Sequence, residues 1–126
     1  MDLKGFVIAY WNDVLNQSAN NLAKYFKQDA IVRWHNTNEL FTFEEFIAIN
    51  CEYPGQWQGV VVRMEIIGDL VITVTKVFSL ELNESYHVTS FIKFDGQKIA
   101  VIDEYWGDDD APPLWRLEKG MGKPIS

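Results

Sequence analysis

The sequence predicts an α+β domain, because helical patterns fill its first half and strand patterns fill its second half. Apolar residues near the amino terminus recur every three or four positions, whereas from Trp57 onward long apolar runs are separated by short turns. With 126 residues, 48% of them hydrophobic, the chain has the size of one domain and the side chains for one core. We therefore expect a single domain over residues 1–126, of which 107–126 form an irregular tail.

The first helix is predicted by an apolar stripe that begins at Leu3. The stripe recurs at spacings of three and four residues, and Asp2 stands where it can cap the helix. Ser18 can begin a second helix that closes at Asp29. The apolar residues that follow predict a short strand over 30–35.

The third helix has the strongest local signal in the chain. Thr42 and Glu45 have the spacing of a capping box, so a helix is expected over residues 43–50. The polar residues 36–39 before it are predicted to form a loop. Four long strands joined by hairpin turns are then expected over residues 60–67, 70–82, 86–94 and 98–106.

Charge and cysteine content exclude several classes of partner. The net charge is -7, from 18 acidic and 11 basic side chains, and it disfavours nucleic acid and anionic membranes. The early apolar run is too short for a membrane span or a signal peptide. The single cysteine, Cys51, cannot form an internal disulfide, which favours the cytoplasm. Because no ligands stand at metal-binding spacing, we expect no metal site and no other cofactor.

Two segments carry a resemblance to a known superfamily. Residues 22–32 (LAKYFKQDAIV) resemble a helix-to-strand passage, and residues 90–99 (SFIKFDGQKI) resemble a final hairpin. With the order of elements over residues 3–107 and the closing EYWG, they resemble the nuclear transport factor 2-like superfamily, which includes ketosteroid isomerase-like and SnoaL-like proteins. The resemblance implies a curved antiparallel or mixed sheet that wraps three N-terminal helices as a cone, as in cystatin-like folds.

The resemblance also implies a pocket for a small hydrophobic molecule, between the concave face of the sheet and the first helix. Ketosteroid isomerases place a base, a tyrosine and an aspartic acid there, and Trp34, Trp11 and Ser90 stand at those three positions. A displacement of one residue would bring in Tyr10 or Arg33, but neither restores a base. Isomerisation of the steroid type is therefore disfavoured.

Glu104 is the candidate for acid–base chemistry. If the resemblance places Trp106 in the pocket, alternation along the strand brings Glu104 and Ile102 to the same face. Burial would raise the pKa of Glu104, as suits a general acid or base. His87 could complete a proton-transfer pair if a bulge turned it inward, although strict alternation places it outside. Alternatively, Glu104 could only accept hydrogen bonds from a neighbour such as Ser90.

Tryptophan is unusually frequent, with five residues in the chain. The resemblance places Trp11, Trp34 and Trp106 around the cone, and Trp57 can lie at its mouth. Such a lining favours flat, apolar or aromatic ligands. The same rings could instead fill the cone and leave no cavity.

Two functions therefore stay open at the level of sequence. The first is a cofactor-free acid–base enzyme of the SnoaL-like kind, an isomerase, cyclase, dehydratase or hydrolase, that acts on a small hydrophobic or aromatic molecule through Glu104 and His87. The second is a non-catalytic module of the same fold that binds a ligand or only dimerises. An open cavity that reaches Glu104 would favour the enzyme, whereas a filled cone would exclude it.

The outer face of the sheet is predicted to form a homodimer. If Ser90 and Trp106 face inward, alternation leaves apolar residues on the opposite face. The resemblance also implies pairing through the sheet. The residues expected on this outer face are Val61, Ile67, Thr73, Thr75, Val77 and Phe91.

The tail is predicted to dock on the domain rather than to fray. Pro112 and Pro113 stiffen the backbone, and Trp115 can bury a large apolar area. Residues 117–126, with two glycines, are expected to be a loose terminus.

Overall fold

The structure, a computed structural model, describes the whole chain from Met1 to Ser126. It confirms the α+β class: a curved mixed sheet holds the N-terminal helices against one face. In chain order the elements are α1 (Leu3–Leu15), α2 (Ala19–Leu22), a 3₁₀ turn (Ala23–Tyr25), β1 (Phe26–Trp34), β2 (Glu39–Thr42), α3 (Phe43–Glu52), β3 (Gln58–Ile67), β4 (Leu70–Ser79), β5 (Glu84–Asp95), β6 (Lys98–Asp108) and α4 (Leu114–Leu117).

All six strands belong to one sheet, in the order β2-β1-β6-β5-β4-β3. The β1 and β6 strands are parallel, and every other neighbouring pair is antiparallel. The strand that joins the two parts of the sheet is therefore β6, with β1 on one side and β5 on the other. Residues of β6 thus have neighbours from both the first and the fifth strand, which is what builds the site described below.

The sequence signals for α1 and α3 are confirmed in detail. Asp2 caps α1 by accepting a hydrogen bond from the Gly5 amide at 3.0 Å. The capping box of α3 is complete, because the Thr42 hydroxyl accepts from the Glu45 amide and the Glu45 carboxylate accepts from the Thr42 amide. The apolar stripe of α1 is buried against the concave face of the sheet. None of the helices combines the length and the apolarity needed to cross a bilayer.

The segment between α2 and α3 differs from the expectation. The second helix is short, and β1 begins at Phe26, four residues earlier than predicted. The predicted loop ends in a strand, β2, which pairs antiparallel with the end of β1. Pairing of β1 with β6, where Phe26 faces Ile99, draws these residues into the sheet. Partners distant in sequence have overridden the local helical pattern.

The predicted faces of β4 are wrong. Thr73, Thr75 and Val77 were expected outside, but all three are buried on the concave side. The reason is the register between β4 and β5, which sets Thr73 opposite Ser90 and so on the same face. Val61 pairs with Thr75 and packs against the core for the same reason. The outer face of β4 carries the alternate residues Leu70, Ile72, Val74, Lys76 and Phe78.

The tail does not dock as the sequence predicted. The β6 strand continues to Asp108, and residues 114–117 form one helical turn, so part of the predicted irregular segment is regular. Trp115 nevertheless stays 64% exposed, beside the similarly exposed Leu114 and Leu117. Within one chain, the docking prediction for Trp115 is therefore wrong.

Candidate functional site

A cavity of about 240 Å³ opens between α1, α3 and the concave face of the sheet. Seventeen residues line it, and eleven of them are hydrophobic. The cone is therefore open rather than filled by its tryptophans. A deep apolar cleft with a few converging polar groups is the usual form of a small-molecule site.

The four tryptophans predicted as substrate-binding residues all line this cavity: Trp11, Trp34, Trp57 and Trp106. The other two predicted residues do not. Ser90 is fully buried behind Glu104, where it bonds the carboxylate, and Ile102 is fully buried in the core. Alternation of side chains along the strand correctly placed both residues on the inner face. Whether an inner-face residue reaches the cavity depends on how far along its strand it lies.

Glu104 lies at the floor of the cavity and is the only charged residue that is buried, at 2% exposure. Its Oε2 accepts a hydrogen bond of 2.6 Å from the Ser90 hydroxyl, and its Oε1 accepts one of 3.1 Å from the Trp34 indole. Burial raises the pKa of Glu104, and the donors that face its carboxylate, Ser90, then Trp34 and then Trp106, act against that rise. The pKa shift expected from the sequence is present.

Strand register explains how these groups meet. Trp34 on β1 and Ser90 on β5 are the residues directly opposite Glu104 on the two neighbouring strands. Adjacent strands lie roughly 5 Å apart, so side chains at the same level and on the same face can bond. The row continues to Thr73, whose hydroxyl accepts from the Trp11 indole at 3.3 Å.

Two hydrogen-bond donors in the cavity have no partner in the protein. The Tyr10 hydroxyl and the Trp106 Nε1 are buried and form no hydrogen bond of normal geometry, although both residues line the cavity. The Trp106 indole lies close enough to the Glu104 carboxylate to lower its pKa, without closing a hydrogen bond to it. Burial, and after it the Glu104 carboxylate, raises the pKa of Tyr10 well above its ordinary value, so this hydroxyl keeps its proton. Since buried polar groups are rarely left unbonded, these two donors mark a place for an acceptor.

His87 and Glu104 lie on opposite faces of the sheet. His87 is exposed on the outer face, where its Nδ1 bonds Asp109 at 2.5 Å. The register is regular here, with His87 opposite Gly107, so no bulge turns the ring inward. The structure therefore does not form the pair that the sequence left open.

The mouth of the cavity contains residues that the sequence reasoning missed. The ring centroids of Tyr53 and Trp57 are 5.7 Å apart. The ring centroid of Tyr86 lies 6.1 Å from that of Trp57 and 6.1 Å from that of Trp106. We call these four residues the aromatic mouth. Alternation back from Ser90 already places residue 86 inward, so a signal for Tyr86 was present in the sequence.

Asn36 holds Trp106 in place at the mouth. Its side-chain amide donates to the Trp106 carbonyl at 2.8 Å and its amide oxygen accepts from the Trp106 backbone nitrogen at 2.7 Å. This bidentate contact extends the parallel pairing of β1 and β6 beyond Trp34. Nothing in the sequence pattern indicated it, because Asn36 stands in what reads as a polar loop.

No group of three or more histidine, cysteine, aspartate or glutamate side chains stands close enough to hold a metal ion. The charged groups of the cavity are Glu104 and Asp108. The chemistry that the lining itself can supply is proton transfer by a carboxylate and hydrogen-bond donation by a phenol and an indole.

Solved structures share this architecture. A candidate ketosteroid isomerase from Kribbella flavida superposes with a TM-score of 0.80 at 19% identity, over 96% of this chain and 89% of that one. An NTF-2 like protein of unknown function from Burkholderia xenovorans also gives 0.80 at 19% identity, over 98% and 94%. An LEH-like epoxide hydrolase from M. tuberculosis gives 0.68 at 13% identity, over 91% and 85%. No protein-family model and no curated protein matches the sequence.

Proposed function

We propose, from the nuclear transport factor 2-like fold that this chain has, that its cavity binds a small cyclic carbonyl compound and that Glu104 exchanges a proton with it. The observation that carries the proposal is the buried Glu104 carboxylate, which lies in the same cavity as two unbonded donors. In this proposal the protein is a cofactor-free acid–base enzyme.

Glu104 acts as the base. An ionised carboxylate has about four acceptor positions, and hydrogen bonds from Ser90 and Trp34 use two of them. Those two bonds hold the carboxylate in one orientation and leave it able to accept a proton. The raised pKa brings its basicity closer to that needed for proton abstraction near neutral pH.

Tyr10 and Trp106 stabilise the charge that develops. When Glu104 removes a proton from the carbon beside a carbonyl, the electron pair of the C–H bond forms a C=C bond and the carbonyl oxygen becomes an enolate. The Tyr10 hydroxyl has no partner in the protein, and the Trp106 indole, beside Glu104, closes no hydrogen bond, so both donate to that oxygen. Return of the proton from Glu104 to another carbon then completes an isomerisation without any redox change.

Proton exchange tests the proposal without knowledge of the natural substrate. Small cyclic ketones incubated with the protein in deuterium oxide should exchange the hydrogens beside the carbonyl, as followed by proton NMR. We expect Glu104→Gln to remove about a hundredfold or more of this acceleration. Glu65→Gln is the control, because Glu65 lies exposed on β3 with Arg63 as its ion-pair partner. Equal exchange by the two variants would refute the proposal.

A non-catalytic binding site is the second candidate, and one observation favours it. Both carboxylate oxygens of Glu104 already accept hydrogen bonds from the protein, as they would in a purely structural role. In that case ketones would raise the melting temperature of the protein equally in wild type and Glu104→Gln, with no deuterium incorporation. The exchange assay therefore separates binding from catalysis.

We also propose that two copies pair through the outer face of the sheet. Ile72, Val74 and Phe91 lie on this face and are only half-buried, while Val60 is 54% exposed. An apolar surface across several strands is the kind that a partner covers. Sedimentation at micromolar concentration should give twice the 14.6 kDa mass of the chain, and a single species of 14.6 kDa would contradict the pairing.

A further inference from the structure

The cavity is acidic as well as aromatic, and this combination selects the charge of its ligand. The charged residues among its lining are Glu104 at the floor and Asp108 at the mouth, and no lysine, arginine or histidine lines it. Neither carboxylate forms an ion pair. A third carboxylate, that of Glu84, lies next to the cavity residue Tyr86 and accepts a hydrogen bond of 2.9 Å from its hydroxyl.

The aromatic mouth supplies the second half of the selectivity. Three of its rings lie in a row, Trp57, Tyr86 and Trp106, with centroids separated by 6.1 Å in both neighbouring pairs. The polar atoms of Trp57 and Tyr86 are bonded within the protein, to the Pro54 carbonyl and to Glu84. These two side chains therefore have no free hydrogen-bond donor left, and their π systems remain for the ligand.

Aromatic rings and carboxylates both attract cations, and both repel anions. A cation within about 6 Å of a tryptophan or tyrosine ring is stabilised by the ring quadrupole, most of all when water is partly excluded. The exposed carboxylate of Asp108 adds Coulomb attraction at the open end. The net charge of -7 extends the same preference over the whole surface.

We propose that the ligand of this cavity is an organic ammonium ion whose charged group lies in the aromatic mouth beside Asp108. This inference rests on the proposed function, which places the carbonyl end of the same molecule at the floor. There the buried hydroxyl of Tyr10, a residue only 1% exposed, has no partner in the protein and can donate to an acceptor. The substrate class becomes a small amino ketone or a similar carbonyl compound with an alkylated ammonium group.

A pair of probes of equal shape and different charge tests the inference. Choline carries a trimethylammonium group, and its uncharged carbon isostere carries a tert-butyl group in the same place. Binding of each is measured by titration calorimetry and by the fluorescence of the cavity tryptophans. An apolar site without electrostatic preference favours the isostere, because removing an uncharged group from water costs less free energy than removing a cation. We expect the opposite order here, with choline bound about tenfold more tightly.

Two matched pairs of variants locate the charge. Asp108→Asn should weaken choline about threefold and leave the isostere unchanged, whereas Asp110→Asn, outside the cavity, should change neither. Trp57→Leu keeps an apolar side chain but removes the ring, and should weaken choline by about fivefold or more. Trp115→Leu is its control, since Trp115 lies exposed in the tail.

Each outcome has a distinct meaning. Isostere binding as tight as or tighter than choline binding overturns the cation preference and leaves the cavity as a neutral small-molecule site, so the proposed function survives. Equal losses in Asp108→Asn and Asp110→Asn also overturn the inference, because they show a general surface charge effect. Absence of binding for both probes overturns the inference, and if the ketones also fail to bind, the proposed function fails with it.

Discussion

The hydrogen bond from Ser90 to Glu104 should be worth much more when Glu104 is charged. Both residues are buried, and the Ser90 hydroxyl lies 2.6 Å from Oε2. Ser90→Ala removes this donor and leaves one carboxylate oxygen without a partner. Hydrogen bonds to buried charged groups contribute about 2 to 3 kcal/mol, so we expect Ser90→Ala to lower the free energy of unfolding by that amount.

Glu104→Gln isolates the part of this effect that is due to charge. The glutamine can accept from the Trp34 indole with its oxygen and donate to the Ser90 oxygen with its nitrogen, so it fits the same two neighbours. In this background the Ser90 hydrogen bond joins neutral groups, and Ser90→Ala should cost only about 1 kcal/mol. The coupling free energy between the two positions is therefore about 1 to 2 kcal/mol.

Urea unfolding at a mildly alkaline pH measures this cycle. With a slope of about 1 to 3 kcal/mol per molar urea, Ser90→Ala should move the midpoint down by roughly 1 M. Ser85→Ala is the matched control: its hydroxyl also donates to a carboxylate, that of Asp109 at 2.5 Å, but in an exposed position, so the cost should stay below about 0.5 kcal/mol. Equal costs of Ser90→Ala with glutamate and with glutamine at position 104 would refute the reasoning.

Four further outcomes follow from the same structure. Because burial raises the folded-state pKa of Glu104, the fold favours its protonated form. The free energy of unfolding of wild type should therefore fall relative to that of Glu104→Gln as pH rises above about 4.3, the pKa of an unperturbed glutamate. Parallel pH profiles of the two proteins in urea unfolding would contradict this. Asn36→Ala removes two hydrogen bonds to the Trp106 backbone, so it should lower the free energy of unfolding by about 1 to 2 kcal/mol and weaken ligand binding in calorimetry. Asn36→Asp keeps the acceptor, so its losses of stability and of affinity should be smaller. Unchanged binding by both variants would show that Asn36 does not position Trp106. Val74→Lys on the outer face should turn a dimer into a monomer in sedimentation, whereas Ile49→Lys, on α3 and away from the sheet, should not. Trp115→Ala should change the free energy of unfolding by less than about 0.5 kcal/mol, because Trp115 is exposed. A loss of more than about 1 kcal/mol would show that the tail docks on the domain in solution.

Local chemistry was enough to predict α1, α3 and the inner face of β6. The cap at Asp2 and the box of Thr42 and Glu45 depend on atoms a few residues apart, so the sequence contains all of the information they need. The inward position of Glu104 followed from Trp106 by period two, together with a resemblance that fixed which face was which.

Only the tertiary structure could decide the faces of β4. Along residues 70–79 the set that is buried consists of valine, threonine and serine, whereas the outer set is richer in large apolar side chains, so composition does not identify the inner face. The register with β5, which places Thr73 opposite Ser90, decides the inner face, and a slip of one residue would reverse every side chain.

The site itself combines what the sequence determined with what the fold decided. The residue types were visible in the sequence: one inward carboxylate and several indoles, which any pocket in this fold could use. Their contacts were not, because Trp34, Ser90 and Glu104 come from three strands and are up to 70 residues apart. His87 shows the converse: its strand was predicted, but its partner Asp109 lies across a hairpin on the outer face. Hydrogen bonds between distant residues depend on strand order and register, which a single sequence does not contain in its local pattern.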